Sequence, residues 1–214
     1  MSVTIKKKEN SEAKITALEN RLSQSNAISA FPNLTIFATG SYARLEASTH
    51  SDIDLFFVNN GELAKLVEPK TRELRMFSEI LEIADDLEFP KFSNDGEYLK
   101  ILETGQILKH LGGRNDDYLN LFTARMLLLL ESRCVEDHNS YDALLGDVLG
   151  SYFRDYPDHP KGFNPSFLIN DIRRFWKALC LNYEHKRNQP TDNPSQRIKQ
   201  KTKNSTTQLK HYQK

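Results

Sequence analysis

The chain has 214 residues, of which 38% are hydrophobic and 27% are charged, a composition that fits a folded globular protein and excludes a wholly disordered one. The longest apolar run covers only residues 126–130, which is shorter than the ~20 apolar residues that a membrane-spanning helix needs. The first residues lack the apolar segment of a secretion signal, and Cys134 and Cys180 lack a metal-binding spacing, so the sequence predicts a cytoplasmic protein with two reduced thiols.

The formal net charge is zero, but the charges are unevenly distributed along the chain. Residues 186–214 hold eight Lys or Arg and one acidic residue, which leaves 21 basic and 28 acidic residues in 1–185, a net charge of −7. An acidic body argues against nucleic acid as a partner, because non-specific binding relies on clustered Lys and Arg. Few large apolar residues occur after residue 187, so we predict a disordered basic tail over 188–214.

The N-terminal part of the chain predicts one helix and two strands. Residues 9–28 have the apolar spacing of a moderately amphipathic helix. Residues 34–38 read as a buried strand that Gly40 ends, and residues 53–58 read as a second strand. An Asn-Asn-Gly turn at 59–61 closes this second strand.

After residue 61 the apolar spacing is mainly helical. A helix is predicted over 62–85, and turn-forming residues follow at 89–96, part of which is a candidate third strand. Four further helices are predicted at 97–110, 116–132, 139–155 and 166–186. The sequence therefore predicts an α+β fold, in which a small mixed-sheet core is followed by an α-helical bundle.

One segment, residues 39–55, combines two features that bind charged ligands. Gly40 and Ser41 form a turn after the first strand, where glycine lets the backbone approach a phosphate and the hydroxyl can donate to it. Asp52 and Asp54 enter the second strand two residues apart, so we expect their carboxylates on one face, about 6–7 Å apart along the chain. Such a pair can hold two divalent cations.

The segment thus predicts a nucleoside-triphosphate site. A helix beginning near Tyr42 would direct its positive end at the same phosphates. A Gly-Ser turn alone is common, and an Asp-x-Asp pair alone is often solvated surface. The two features together, on a strand-turn-strand unit, favour the functional interpretation.

The same segment resembles the nucleotidyltransferase superfamily that includes DNA polymerase β. Within it, the segment is most similar to the N-terminal catalytic domain of the PII-protein uridylyltransferases and the related glutamine-synthetase adenylyltransferases. Eight positions match the uridylyltransferase motif without a gap: Gly40, Tyr42, Arg44, Glu46, Ser51, Asp52, Ile53 and Asp54. Ser41, Ala43 and Leu45 stand where that family has glycine. A looser likeness extends over residues 31–187.

The resemblance implies a domain order and a reaction. The domains expected are an N-terminal helix at 1–30, a nucleotidyltransferase core at 31–110, a helical domain at 111–187 and the basic tail. The reaction implied is Mg²⁺-dependent transfer of UMP or AMP from a nucleoside triphosphate to a protein acceptor. Two Mg²⁺ ions are expected, with Mn²⁺ as an alternative.

The resemblance also implies roles for single residues. Asp52 and Asp54 would bind the metal, and Gly40 and Ser41 would hold the β- and γ-phosphates. Arg44 would either contact phosphate or pair with the neighbouring Glu46. The third catalytic carboxylate of the superfamily would be Asp95, with Glu97 as a second candidate. The alternative for Asp95 is a turn residue that caps the next helix.

Two other functions remain open from the sequence. One is a nucleotidyltransferase with a small-molecule acceptor. The other is a non-catalytic nucleotide-binding regulator or antitoxin-type partner, which the missing clear third carboxylate favours and the intact Asp52 and Asp54 oppose. RNA as the acceptor conflicts with the acidic body, and the oligomeric state is left open.

Overall fold

The computed structural model describes residues 3–92, 99–158 and 160–188. The chain divides into two compact units, Met1–Pro165 and Ser166–Lys214. In the described part of the first unit, a four-stranded sheet carries helices on both faces. The described part of the second unit is one helix.

The elements before residue 92 confirm both predicted strands. In chain order they are α1 (Val3–Leu22), α2 (Asn26–Ser29), β1 (Leu34–Thr39), α3 (Gly40–Ala43), β2 (Asp54–Asn59) and α4 (Pro69–Asp86). The single helix predicted over 9–28 is two helices, because Ser25 starts a new one: its side chain accepts a hydrogen bond from the backbone N–H of Ile28 at 3.1 Å.

The helix predicted over 62–85 begins later than expected. A short 3₁₀ turn occupies Leu63–Lys65, and α4 starts only at Pro69. Glu68 has a φ of 51°, which no α-helix can contain. Proline is preferred in the first helical turn, where its missing N–H costs no hydrogen bond.

The elements after residue 98 correct three predictions. In chain order they are β3 (Ile101–Glu103), α5 (Thr104–Lys109), α6 (Arg114–Tyr118), α7 (Leu121–Glu131), β4 (Ser132–Glu136) and α8 (His138–Ser151). The helix predicted over 97–110 is wrong in its first part, where β3 lies. Residues 89–92 form no strand, and the rest of the candidate strand at 89–96 lies outside the described residues.

The helix predicted over 116–132 is interrupted and too long. Asn120 has a φ of 59°, so the chain leaves the helical conformation between α6 and α7. Its last predicted residue, Ser132, begins β4, a strand that the sequence did not predict. The helix predicted over 139–155 is confirmed as α8, whose first turn is capped by Asp137 through the backbone N–H of Ser140 at 3.1 Å.

The four strands form one mixed sheet in the order β3-β2-β1-β4. β1 is antiparallel to both β2 and β4, and β2 is parallel to β3. Side chains alternate between the two faces of a strand, so neighbours in sequence enter different cores. One core includes Leu18, Ile36, Phe57 and Ile80. The other includes Phe37, Val58, Leu121 and Val148. This arrangement confirms the predicted α+β class with a small mixed sheet.

A buried ion pair joins the helices on the second face. Arg125 on α7 is fully buried, and its Nη2 donates to Asp116 Oδ2 on α6 at 2.5 Å. Its Nη1 donates to the carbonyl of Ile107 on α5 at 3.0 Å, and its Nε donates to the hydroxyl of Tyr152, next to α8, at 3.3 Å. Burial lowers the pKa of Arg125, but its hydrogen bonds to Asp116 and Tyr152, together with their charges, more than offset the effect and leave the pKa raised.

The described part of the second unit is α9 (Ser166–Asn188). This confirms the helix predicted over 166–186. The predicted basic tail lies outside the described residues from residue 189 onward. Within the described ranges, no helix has both the length and the apolar character that crossing a lipid bilayer requires.

Candidate active site

Three strands place polar side chains in a row at one end of the sheet. Thr39, the last residue of β1, pairs with Asp54 of β2 on one side and with Ser132 of β4 on the other. Cross-strand partners project from the same face of a sheet and approach each other closely. The three residues therefore form a polar row just where β1 turns into α3.

Gly40 allows the carboxylate of Asp54 to lie against this turn. Its φ is 66°, in the left-handed region that side chains other than glycine rarely adopt. A Cβ atom built at Gly40 would lie 3.0 Å from Oδ2 of Asp54. Glycine is therefore favoured here by the backbone conformation, and a Cβ atom would also press on the carboxylate of Asp54.

Asp52 is related to the same turn through the side chain of Tyr42. Tyr42 is buried among core residues, and its pKa is raised first by burial and second by the negative charge of Asp52. Between the two aspartates, Ile53 is buried in the core, while Asp54 is exposed and Asp52 is half-buried. Asp54 thus lies against the turn formed by residues 40–43, and the charge of Asp52 acts on the side chain of Tyr42 in that turn.

The loop that leads to Asp52 is held by hydrogen bonds of serine side chains. The backbone N–H of Ser48 donates to the hydroxyl of Ser51 at 2.9 Å, and the backbone N–H of Ser51 donates to the carbonyl of Ser48 at 3.0 Å. The backbone N–H of Ala47 donates to the buried hydroxyl of Ser11 on α1 at 3.1 Å. These contacts fix the direction from which the chain enters β2.

Leu45 adopts the conformation of a glycine in this loop. Its φ is 57°, in the left-handed region. For a residue with a Cβ atom this conformation costs roughly 1–2 kcal/mol. The leucine that stands where the motif has glycine therefore adds strain to this loop.

Arg44 is paired with two carboxylates in this structure. Its Nη1 forms an ion pair with Glu131 at the end of α7, and its Nε lies 3.6 Å from Oε2 of Glu46. The pairing with Glu46 is one of the two alternatives predicted, whereas Glu131 was not predicted. Another unexpected cation is nearby, because Nε of Arg133 on β4 donates to the carbonyl of Ala43 at 3.4 Å.

The helix expected near Tyr42 is a single turn, Gly40–Ala43. A helix dipole needs several aligned peptide units, so its contribution here is small. The first N–H groups of any helix have no acceptor within it. The N–H groups of this first turn and the Ser41 hydroxyl are groups of the kind that donate to an anion.

Asp52 and Asp54 are two candidate oxygen ligands, which are fewer than a complete metal site needs. In the ranges that the structure describes, no group of three or more His, Cys, Asp or Glu side chains is placed to hold a metal ion. Both candidates for a third carboxylate, Asp95 and Glu97, lie outside these ranges. Two carboxylates fit Mg²⁺, which takes its other ligands from water and substrate phosphates.

The residues that the sequence did not indicate come from β4 and α8. The hydroxyl of Ser132 lies 2.7 Å from the hydroxyl of Tyr141, and burial raises the pKa of Tyr141. No motif marks these residues. The sequence pattern that could have indicated β4 is the apolar pair Cys134 and Val135, which is typical of a buried strand directly after α7.

Comparison with known families gives one match. Residues 15–126 match the family described as "Nucleotidyltransferase domain", a span of more than half of the chain. This span begins within α1, contains the first three strands and ends within α7. No curated protein and no solved structure matches the chain.

Proposed function

The chain belongs to the nucleotidyltransferase domain family, and from this premise we propose that it transfers UMP or AMP from a nucleoside triphosphate to a protein acceptor. The observation that supports a working site is the contact of the second motif aspartate with the glycine turn. A Cβ at Gly40 would lie 3.0 Å from Asp54 Oδ2, so this carboxylate and the turn share one small space.

Metal binding in this proposal falls to the two aspartates. Asp52 and Asp54 would hold Mg²⁺, or Mn²⁺ in its place, and the bound ion would offset the negative charge of the triphosphate. Asp52 is half-buried and Asp54 is exposed, so solvent reaches both residues. Their chemistry as hard oxygen donors suits these ions better than zinc or copper.

The glycine turn would hold the leaving phosphates. Gly40 lets the backbone approach closely, and Ser41 supplies a hydroxyl and an N–H group to the β- and γ-phosphates. Arg44 would exchange its ion pair with Glu131 for a phosphate oxygen when the triphosphate enters. The partly exposed state of this pair, in which 41% of the Arg44 side chain is accessible, keeps the cost of such an exchange low.

The proposed reaction forms one bond and breaks one bond. A hydroxyl oxygen of the acceptor attacks the α-phosphorus, and the bond from that phosphorus to the oxygen bridging to the β-phosphate breaks. Pyrophosphate leaves with that oxygen. The hydroxyl proton passes to a carboxylate, for which Asp95 is the candidate and Glu97 the second choice. The residues act by positioning and by electrostatic stabilisation.

The choice of a protein acceptor rests on the motif. Tyr42, Arg44 and Glu46 match the uridylyltransferase pattern in register. In the structure Tyr42 anchors the turn in the core, and Arg44 and Glu46 lie within 3.6 Å of each other beside it. The motif residues therefore shape the surface around the turn.

The experiment is a transfer assay with each α-labelled nucleoside triphosphate, Mg²⁺ and cell extract. We expect label on a protein with UTP or ATP, and a loss of about a hundredfold or more in Asp52→Asn and Asp54→Asn. Asp147→Asn on the exposed surface of α8 is the matched control and should retain full activity. Melting curves show whether each variant is folded.

Three results would change the proposal. Undiminished transfer by both aspartate variants would refute the role of the motif. Label on a small molecule would show that the acceptor is a small molecule and not a protein. Mg²⁺-dependent binding of the triphosphate without any product would favour a nucleotide-binding regulator.

A further inference from the structure

The outer face of α4 carries two large apolar residues that the described part of the chain leaves exposed. Leu74 is 71% exposed and Leu81 is 44% exposed. They are seven residues apart, which on an α-helix of 3.6 residues per turn places them about 20° from each other. Ser78, exposed and small, lies between them on the same face. We call Leu74, Ser78 and Leu81 the α4 stripe.

One side of the α4 stripe carries a basic and an acidic residue. Arg75 and Glu82 are also seven residues apart, and both are exposed. They line a groove of about 510 Å³, which Arg21 and Gln24 border on the other side. Among the described residues neither has an ion-pair partner. Seven residues span about 10.5 Å along the helix axis, which is too far for Arg75 and Glu82 to pair with each other.

The charges of α4 are separated along its length. Residues 69–77 hold three basic residues and one acidic residue, whereas residues 78–86 hold four acidic residues and no basic residue. This order opposes the helix macrodipole, which favours acidic residues at the N-terminus and basic residues at the C-terminus. The stability of the isolated helix therefore gives no reason for this charge pattern.

An antiparallel copy of the same helix fits both the stripe and the charges. We propose that the outer face of α4 pairs with α4 of a second copy of this chain, antiparallel and centred near Ser78. Leu74 then packs against Leu81 of the partner subunit, and Arg75 pairs with Glu82 of the partner subunit. Two-fold symmetry repeats both contacts, because such an interface uses the same surface of each subunit.

The antiparallel direction follows from the charges. In an antiparallel helix pair, the flank that carries Arg75 and Glu82 lies beside the same flank of the partner helix. Because the partner runs in the opposite direction, Arg75 of one helix lies opposite Glu82 of the other. The basic half of each helix then lies along the acidic half of the other. A parallel pair would place basic along basic and acidic along acidic, which is unfavourable. Small Ser78 at the centre lets the two helices approach closely.

The proposed interface is separate from the candidate active site. None of Gly40, Asp52 or Asp54 borders the groove beside α4. Pairing through α4 therefore stands or falls independently of nucleotidyl transfer.

The test uses exchanged charges and sedimentation velocity over a wide range of protein concentration. We expect the wild-type chain to form dimers as the concentration rises. Arg75→Glu and Glu82→Arg should each weaken self-association at least about tenfold, equivalent to about 1.4 kcal/mol, because each places like charges opposite one another twice. An equal mixture of the two variants should associate again, since every pair then has opposite signs. The variant with both changes in one chain should also behave as the wild type.

The control is Glu9→Arg, the same charge change on the exposed surface of α1, which should leave self-association unaffected. Leu74→Ser should weaken the dimer, and at dilutions where the chain is monomeric it should change the melting temperature little, because the side chain is exposed. A wild-type chain that stays monomeric at every concentration would overturn the proposal. A dimer that neither charge variant weakens, or a mixture that fails to associate, would also overturn it.

Discussion

Replacing Arg125 by methionine tests whether the buried ion pair holds the helices of the second face together. Methionine keeps much of the side-chain volume and removes the charge. The carboxylate of Asp116 then loses its donor at 2.5 Å and retains the backbone N–H of Gly112 at 3.1 Å. Its other oxygen, Oδ1, is already buried with no hydrogen-bond donor among the described residues. The carbonyl of Ile107 loses a donor as well.

The expected loss is large because a charge remains buried without its partner. Breaking a buried pair in this way costs about 3–5 kcal/mol. For a chain of this size, each kcal/mol lowers the melting temperature by about 2–4 °C, so we expect a decrease of about 6–20 °C. Urea unfolding, followed by circular dichroism, measures the same loss as a free energy of unfolding.

The double variant Arg125→Met with Asp116→Leu separates charge burial from simple loss of packing. It removes both charges, so it should be more stable than Arg125→Met alone, although it carries one more substitution. The loss in Arg125→Met should also change little with salt, because buried charges are poorly screened. A single-variant loss below about 1 kcal/mol, or a double variant less stable than the single one, would refute this account of the ion pair.

Three further outcomes are expected. Gly40→Ala should lower both stability and transfer activity, because the new Cβ would meet a carboxylate and the φ of residue 40 is 66°. Gly146→Ala is the control: it lies at an exposed helical position with open space, so it should leave activity intact and raise stability by up to about 1 kcal/mol. Equal behaviour of the two variants in denaturation and transfer assays would contradict this prediction. Leu45→Gly should be more stable than Leu45→Ala by about 1 kcal/mol, since only glycine is unstrained at a φ of 57°; chemical denaturation showing the reverse order would refute the strain. Exposed Cys180 should react with a thiol reagent before buried Cys134, whose pKa burial raises from 9.0 to about 12. The unfolded chain then loses the Cys134 thiol proton at lower pH than the folded chain, so the free energy of unfolding should fall by up to about 4 kcal/mol between about pH 9 and pH 12. Cys134→Ser should make this decline shallower. The same decline with pH in wild type and variant would count against the role of Cys134.

The motif region was predictable from the sequence because its constraints are local. A glycine that must adopt a positive φ, and two aspartates on either side of a buried isoleucine, are visible in a short stretch of sequence. The structure places the carboxylate of Asp54 against Gly40, and the charge of Asp52 acts on Tyr42 in the same turn. Strands β1 and β2 were found for a similar reason, since each is six residues long and mostly buried.

The missed strands depend on partners far away in sequence. β3 has three residues, and only its pairing with β2 distinguishes it from the start of α5. In β4 the register shifts at Ile36 of its neighbour, so Cys134 and Val135 are both buried and the alternation of a strand is lost. A β-bulge of this kind cannot be read from a pattern with a period of two. The contact of Arg44 with Glu131 was missed for the same reason, because β4 and α7 meet the turn only in the folded chain.

Strand β4 has a consequence for how the domain can be divided. The family match ends at residue 126, but β4 at Ser132–Glu136 covers the edge of β1. A fragment cut at the end of the match would leave the N–H and C=O groups of β1 open along a strand that contains Ile36 and Phe37. An uncovered apolar edge strand is a template for pairing with other chains. Such a fragment would therefore aggregate, and the smallest soluble piece must extend at least through β4.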